Sequence, residues 1–286
     1  MIIWLASYPK SGNTWLRFYI LSLLVGKKTN INLGHLKAIL AYPHSTHFEG
    51  LVSNLFDLDE IAKNWIVSQK KMNSNKHLRF FKTHNMLGKY KGYPFTDYEN
   101  TLGTIYIVRD PRNVITSLKN HYSLSDYTEA KKFMFDENKI LAMSERQKNL
   151  FMKSKIFPLK QIVGSWRTNY LSWKHMDKNY LLVKYEDLVE NPKNEFTKIA
   201  NFIGNLLKLK FTEDQIDAAI NLSSFEKLEK MEKDSGFTES TVSKEGIRNK
   251  FFFLGPKNDW TKILEPKISD EINKKFENEM RELGYL

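Results

Sequence analysis

The chain has 286 residues, 41% of them hydrophobic and 13% aromatic, which is enough to bury one sizeable core, and a single domain over residues 1–286 is the expectation. It has no cysteine, which excludes disulfides, zinc–thiolate sites and thiol catalysis. Lys and Arg number 44 against 33 Asp and Glu, a net charge of +11 that favours anionic partners, yet the lysines are spread along the whole sequence and mark no nucleic-acid surface.

The first apolar run, residues 2–6, reads as a buried strand. No positive-then-apolar leader precedes it, and no apolar run approaches the roughly 18 residues of a membrane span, so a soluble, cytoplasmic protein is expected. Ser7-Tyr8-Pro9-Lys10-Ser11-Gly12-Asn13-Thr14-Trp15 follows, and residues 15–25 then have an amphipathic helical pattern. A strand-to-helix turn of this kind offers helix N-terminal N–H groups and the positive end of the helix dipole. Lys10 adds a charge, and Ser11, Asn13 and Thr14 add side-chain donors, so a phosphate or sulfate group fits. The nucleotide P-loop, G-x-x-x-x-G-K-[ST], is not matched, because Gly12 is the single glycine and the lysine stands two residues before it.

Residues 30–50 have weak periodicity and read as a loop, in which His44 and His47 are polar loop residues. Asp57-Leu58-Asp59-Glu60 opens an amphipathic helix to about Lys71. Further strands are expected over 78–82, 104–108 and 180–184, each followed by helical pattern; 129–152, 161–176 and 266–283 read as mainly helical, and 123–155 contains a second weakly patterned stretch. Strands alternating with helices imply an α/β fold with a central parallel sheet flanked by helices, in which ligands bind beyond the carboxyl ends of the strands. Lys10, Thr83-His84, Arg109-Asp110 and Tyr185-Glu186 stand just beyond those four ends.

The residue types at these ends suit transfer of an anionic group to a hydroxyl. An imidazole such as that of His84, with an ordinary pKa near 6.5, can take the proton of an acceptor at neutral pH. Arg109 is a permanently charged bidentate phosphate donor; Pro111 starts the next helix, and Ser117 lies two turns along it, where its hydroxyl can reach the same anion. No group of carboxylates or histidines has metal-ligand spacing, so no metal is expected. Two other readings share parts of this pattern. A P-loop-like kinase would need a second glycine before the lysine and a magnesium-binding carboxylate, for which Asp110 is the one acid beside the motifs; a basic nucleic-acid-binding module would need its cations gathered on one face.

At these residues the chain resembles the cytosolic sulfotransferases. Residues 8–15 are similar to the family's Y-P-K-S-G-T/N-T-W loop, Lys82-Thr83-His84 to its K-T-H segment, and Arg109 with Ser117, eight residues on, to its second cofactor motif. Tyr185-Glu186-Asp187-Leu188 with Asn191-Pro192 resembles Y-E-D-L…N-P, and Ser223-Ser224-Phe225 resembles T-S-F. The resemblance implies sulfuryl transfer from 3′-phosphoadenosine 5′-phosphosulfate (PAPS), without a metal, with His84 as general base. It implies that Lys10 follows charge onto the leaving phosphate oxygen, that Lys82, Asn13 and Thr14, with Ser11 and Gly12 in the same loop, hold the transferred group, and that Arg109 and Ser117 grip the 3′-phosphate. Trp15, Tyr185 and Phe225 would pack around the purine, with Ser223 in the same segment. The family's R-K-G-x-x-G-D-W segment is matched at Gly255, Asp259 and Trp260, but Phe253-Leu254 replaces its Arg-Lys pair, leaving Lys257, Lys250 or Arg248 to supply a cation. The acceptor is a small molecule, glycan or lipid headgroup, and the family's dimerisation segment is not recognisable, so oligomeric state is left open.

Overall fold

Four strands form one sheet in the order Arg79–Thr83, Ile2–Ser7, Thr101–Val108, Tyr180–Lys184. The first two pair in parallel, with Ile2 opposite Arg79 and Ala6 opposite Thr83. All six residues of Ile2–Ser7 are buried, as expected of a strand covered on both faces in an α/β fold. The computed structural model describes residues 1–26, 30–143, 156–243 and 246–286. Among these no helix is long and apolar enough to cross a membrane.

Packing groups the chain into two compact units. The first comprises Met1–Tyr8, Ile39–Tyr106 and Glu137–Leu182 and contains most of the sheet. Its core is aromatic: Trp4 packs against Tyr42, Phe81, Phe95 and Trp173, and the Trp4 indole N–H donates to Thr101 Oγ1 at 3.0 Å, so that burial leaves no polar atom of that ring unmatched. The second unit comprises Pro9–Ala38, Ile107–Asp136 and Val183–Leu286. It is mainly helical, and one of its clusters gathers Phe18, Leu21, Ile31, Leu33, Leu36, Leu228, Phe237 and Phe252, with Trp15 and Phe225 against it.

Three helical expectations need correction. The run from Asp57 is two helices, Leu58–Lys63 and Trp65–Asn73, because Asn64 leaves helical geometry (φ −103°, ψ 6°) and turns Trp65 into the core. Within 161–176, Gln161–Ile162 is instead a strand pairing antiparallel with Ile140–Leu141; Gly164 at φ 65° then reverses the chain, and Ser165 caps the helix Trp166–Lys174. The C-terminal run divides into Pro266–Lys275 and Glu277–Glu282 at Phe276, which is fully buried. Of 129–152, the helix is Tyr127–Phe135, and residues 144–152 lie outside the described residues. His44 and His47 are not solvated loop groups. His44 is 5% exposed, His47 stacks on Tyr42, and burial pulls their pKa values down to about 4 and about 3.

Candidate active site

In the second unit the helix Asn13–Val25 has Gly12 as its N-cap, and Leu16 N–H donates to Gly12 O at 3.1 Å to close the first turn. Gly12 brings no side chain to cap that turn, so its amides are presented to whatever binds there. A glycine is required on two counts. Its φ of 102° strains any L-residue, and an added Cβ would lie 2.7 Å from the Tyr185 ring and 3.1 Å from Ile107. Lys10 also has a positive φ, 66°, and its ammonium sits 3.6 Å from the centre of the Phe251 ring, a cation–π contact that fixes where the charge stands. Ser11 is fully buried and its hydroxyl has no hydrogen-bond partner among the described residues, nor has the Trp15 indole N–H. An unmade buried donor costs about 1–3 kcal/mol, so these two atoms fit an anionic or polar ligand that would accept from them. Thr14 Oγ1 donates to Glu239 at 3.4 Å, and the same carboxylate pairs with the buried Arg17 at 2.5 Å.

The helix Pro111–His121 begins directly beyond the third strand, with Asp110 as N-cap and Pro111 at its first position. Asn113 and Ser117, four residues apart, share one face of this helix, and Arg109 stands just before its N-cap. The turn at residues 255–260 lies along that face. Arg109 Nη2 donates to Gly255 O at 3.1 Å, Asn258 Nδ2 to Asn113 O at 2.7 Å and to Ser117 Oγ at 3.3 Å, and Trp260 N–H to Asn113 Oδ1 at 3.0 Å. The Arg109 guanidinium also lies 4.0 Å from the Tyr185 ring centre, so its plane is held by an aromatic face as well as by hydrogen bonds.

Tyr185 in turn meets Trp15 edge-on at 5.5 Å, which brings together two of the three aromatics expected around a purine. Phe225 covers Gly255, where a Cβ would come within 2.1 Å of its ring. The buried Ser223 hydroxyl donates to Ala219 O at 2.8 Å and to Ile220 O at 3.2 Å at a helix C-terminus. Neighbouring Glu186 accepts from Asp110 N–H at 3.0 Å and from the Tyr285 hydroxyl at 2.8 Å, while burial raises its pKa. The three cations offered as replacements for the missing Arg-Lys pair are all exposed; Arg248 donates to Phe237 O at 3.3 Å, and Lys250 meets Asn120 through its backbone carbonyl. The buried polar group beside Ser117 is Asn258, 4% exposed, which the sequence reading missed. Its signal was the unusual side chain at the second glycine of the G-x-x-G-D-W pattern.

In the first unit His84 follows the strand Arg79–Thr83 and is fastened on three sides. Its N–H donates to Gln161 Oε1 at 2.7 Å, its carbonyl accepts from Asn169 Nδ2 at 2.9 Å, and Nδ1 lies 2.8 Å from Ser7 O and 3.2 Å from Ser7 Oγ. A carbonyl oxygen can only accept, so the proton of the neutral ring resides on Nδ1 and the basic lone pair on Nε2. Lys82, two residues earlier, is half-buried, with its backbone bonded to Leu40 and Tyr42.

The fold and the Lys10 turn define a P-loop-like α/β protein whose anion site is built without the second glycine and following lysine of nucleotide kinases. More narrowly, the chain belongs to the sulfotransferase family, whose Sulfotransferase domain matches residues 2–284. It is 24% identical to flavonol 3-sulfotransferase of Flaveria bidentis over 99% of this chain and 83% of that one, and 24% identical to 3-beta-hydroxysteroid sulfotransferase of Cavia porcellus over 96% and 82%. Among solved structures, a mouse sulfotransferase complexed with PAP matches at TM-score 0.59 and 20% identity, covering 98% of this chain and 84% of that one. A retinol dehydratase in complex with androsterone and inactive cofactor PAP matches at TM-score 0.59 and 16% identity, over 98% and 80%. Both structures share the fold.

Proposed function

We propose that this sulfotransferase moves the sulfuryl group of PAPS onto a hydroxyl of a small acceptor in the cytosol, and does so without a metal. The observation that carries the reading is the Lys10 turn, where a positioned ammonium, a buried hydroxyl without a protein acceptor and an uncapped helix start meet within five residues. The acceptor oxygen forms a bond to sulfur as the bond from sulfur to the 5′-phosphate oxygen breaks. The acceptor proton goes to Nε2 of His84, whose tautomer is set by Ser7 O. Negative charge gathers on the departing phosphate oxygen, where the Lys10 ammonium offsets it, while Lys82, Asn13 and Thr14 hold the equatorial sulfuryl oxygens. Arg109 and Ser117 take the 3′-phosphate, and Trp15, Tyr185 and Phe225 the base. Names of relatives that act on flavonols and hydroxysteroids support a hydroxyl on a flat, apolar body as the acceptor class.

A thermal-shift series tests the donor assignment. Adenosine 3′,5′-bisphosphate (PAP) should raise the melting temperature strongly, while ATP and GTP should not, because ligand binding to the native state stabilises by mass action. Stabilisation by ATP with magnesium and none by PAP would overturn it. Transfer of labelled sulfate from PAPS to a panel of flavonols and hydroxysteroids then tests the acceptor class.

A further inference from the structure

Serine and threonine hydroxyls inside helices ordinarily donate to the carbonyl four residues back. In this protein Ser22 does so to Phe18 O at 2.8 Å, Thr197 to Lys193 O at 2.6 Å and Ser223 to Ala219 O at 2.8 Å. Ser117 also donates to the carbonyl four residues back, Asn113 O, but at 3.4 Å, the longest of these bonds. That carbonyl also accepts from Asn258, whose Nδ2 lies 2.7 Å from it and 3.3 Å from Ser117 Oγ. The Asn258 side chain is buried, and its Oδ1 has no partner among the described residues, so its amide is held in place by these two donor contacts and by the Asn258 N–H to Gly255 O bond at 3.2 Å.

We propose that Asn258 is a positioning residue for the 3′-phosphate: it competes with the Ser117 hydroxyl for its helical carbonyl, leaving Ser117 a long bond that its proton gives up for the anion. The inference rests on the assignment of Arg109 and Ser117 to the 3′-phosphate. By donating to a lone pair of Ser117 Oγ, the amide keeps the hydroxyl in its donor role, and accepting one hydrogen bond strengthens the next one given. Asn258 therefore acts through Ser117, and it does so at the turn where Phe253 and Leu254 supply no cation. A neutral amide substitutes for charge by improving a neighbour's geometry. Discrimination between nucleotides with and without a 3′-phosphate then depends on Asn258 as well as on Arg109.

The test compares PAP with AMP, which lacks the 3′-phosphate, by calorimetry in wild type, Asn258→Ala, Ser117→Ala and the double variant. AMP binding reports that each variant is folded. Ser117→Ala should weaken PAP by about tenfold, Asn258→Ala by about three- to tenfold, both with AMP unchanged, and the double variant no more than Ser117→Ala alone. If Ser117→Ala lowers the PAP-to-AMP preference and Asn258→Ala does not, or if the two effects multiply, Asn258 does not act through Ser117 and the proposal fails while the 3′-phosphate assignment stands. If neither variant changes the preference, the assignment fails and takes the proposal with it. Asn258→Asp gives a second reading, since its carboxylate would accept the Ser117 proton. Its preference for PAP should fall below that of Asn258→Ala, and a preference equal to wild type would overturn the proposal.

Discussion

The end of the strand carrying His84 and the loop carrying Lys10 solve opposite problems. Around His84 the backbone N–H, the carbonyl and Nδ1 all have protein partners, so the ring is oriented before any substrate arrives. In the Lys10 loop, the Ser11 hydroxyl and the Trp15 indole N–H are buried without one among the described residues. A base must keep its direction while a proton moves, and fixed bonds on its far side do that. An anion site must instead hold donors that are desolvated and still available. On the proposed reading, stability of about 1–3 kcal/mol per donor is given up there and returned when an anion accepts from it.

The sharpest way to break this contrast is His84→Ala. If the ring is an oriented base, turnover should fall by about a hundredfold or more with PAP affinity unchanged. Steady-state rates beside calorimetry check it, and a variant that loses nucleotide binding in step with rate would place His84 in the anion site instead. Next in size is the pair Arg109→Ala and Lys10→Ala. Removing the charged hydrogen bonds of Arg109 should weaken PAP by about 1.5–3 kcal/mol, whereas Lys10→Ala should lower mainly kcat. Equal losses of PAP affinity in the two variants would merge roles that the Phe251 and Tyr185 contacts hold apart. Smaller is the effect of Gly12→Ala. It should cost about 1–3 kcal/mol of stability through its φ of 102° and the Tyr185 clash, and weaken PAP because Tyr185 must move. Denaturant melts with and without PAP separate the two losses; an unchanged midpoint would mean that the ring yields freely.

Much of this arrangement was legible in the sequence. Strand–helix alternation placed the four sheet strands within a few residues, since buried parallel strands read as continuous apolar runs, and Lys10, His84 and Arg109 stand just beyond strand ends as their order in the sequence implied. What escaped was decided by contacts distant in sequence. Residues 161–176 have helical spacing, but Gln161–Ile162 is taken as a strand by Ile140–Leu141, and no local pattern encodes that pairing. Asn258 resembles any polar turn residue until the turn is laid along the Asn113 and Ser117 face.

The smallest effect separates His84 from the two buried histidines His44 and His47 of its unit. His44 and His47 are buried and their folded pKa values are lowered, to about 4 and about 3, by loss of hydration, with the charges of His44 and then Arg79 adding to the effect on His47. The unfolded rings protonate near the ordinary 6.5, so between that pH and about 4 the unfolded state binds more protons. Stability is therefore complete above pH 6.5 and is lost as the pH falls, at up to about 1.4 kcal/mol per pH unit for each ring. His47→Phe keeps the stack on Tyr42 and the edge contact with Phe81, and removes a buried Nδ1 that has no partner among the described residues. Urea midpoints from pH 7 to pH 4 should then fall about half as steeply in this variant, with stability at pH 7 no lower than in wild type. The acid limb of kcat should stay where it was, because it reports the ring fastened to Ser7. If the acid limb moves with the stability curve, loss of activity in acid is unfolding, and the oriented-base reading loses its pH signature.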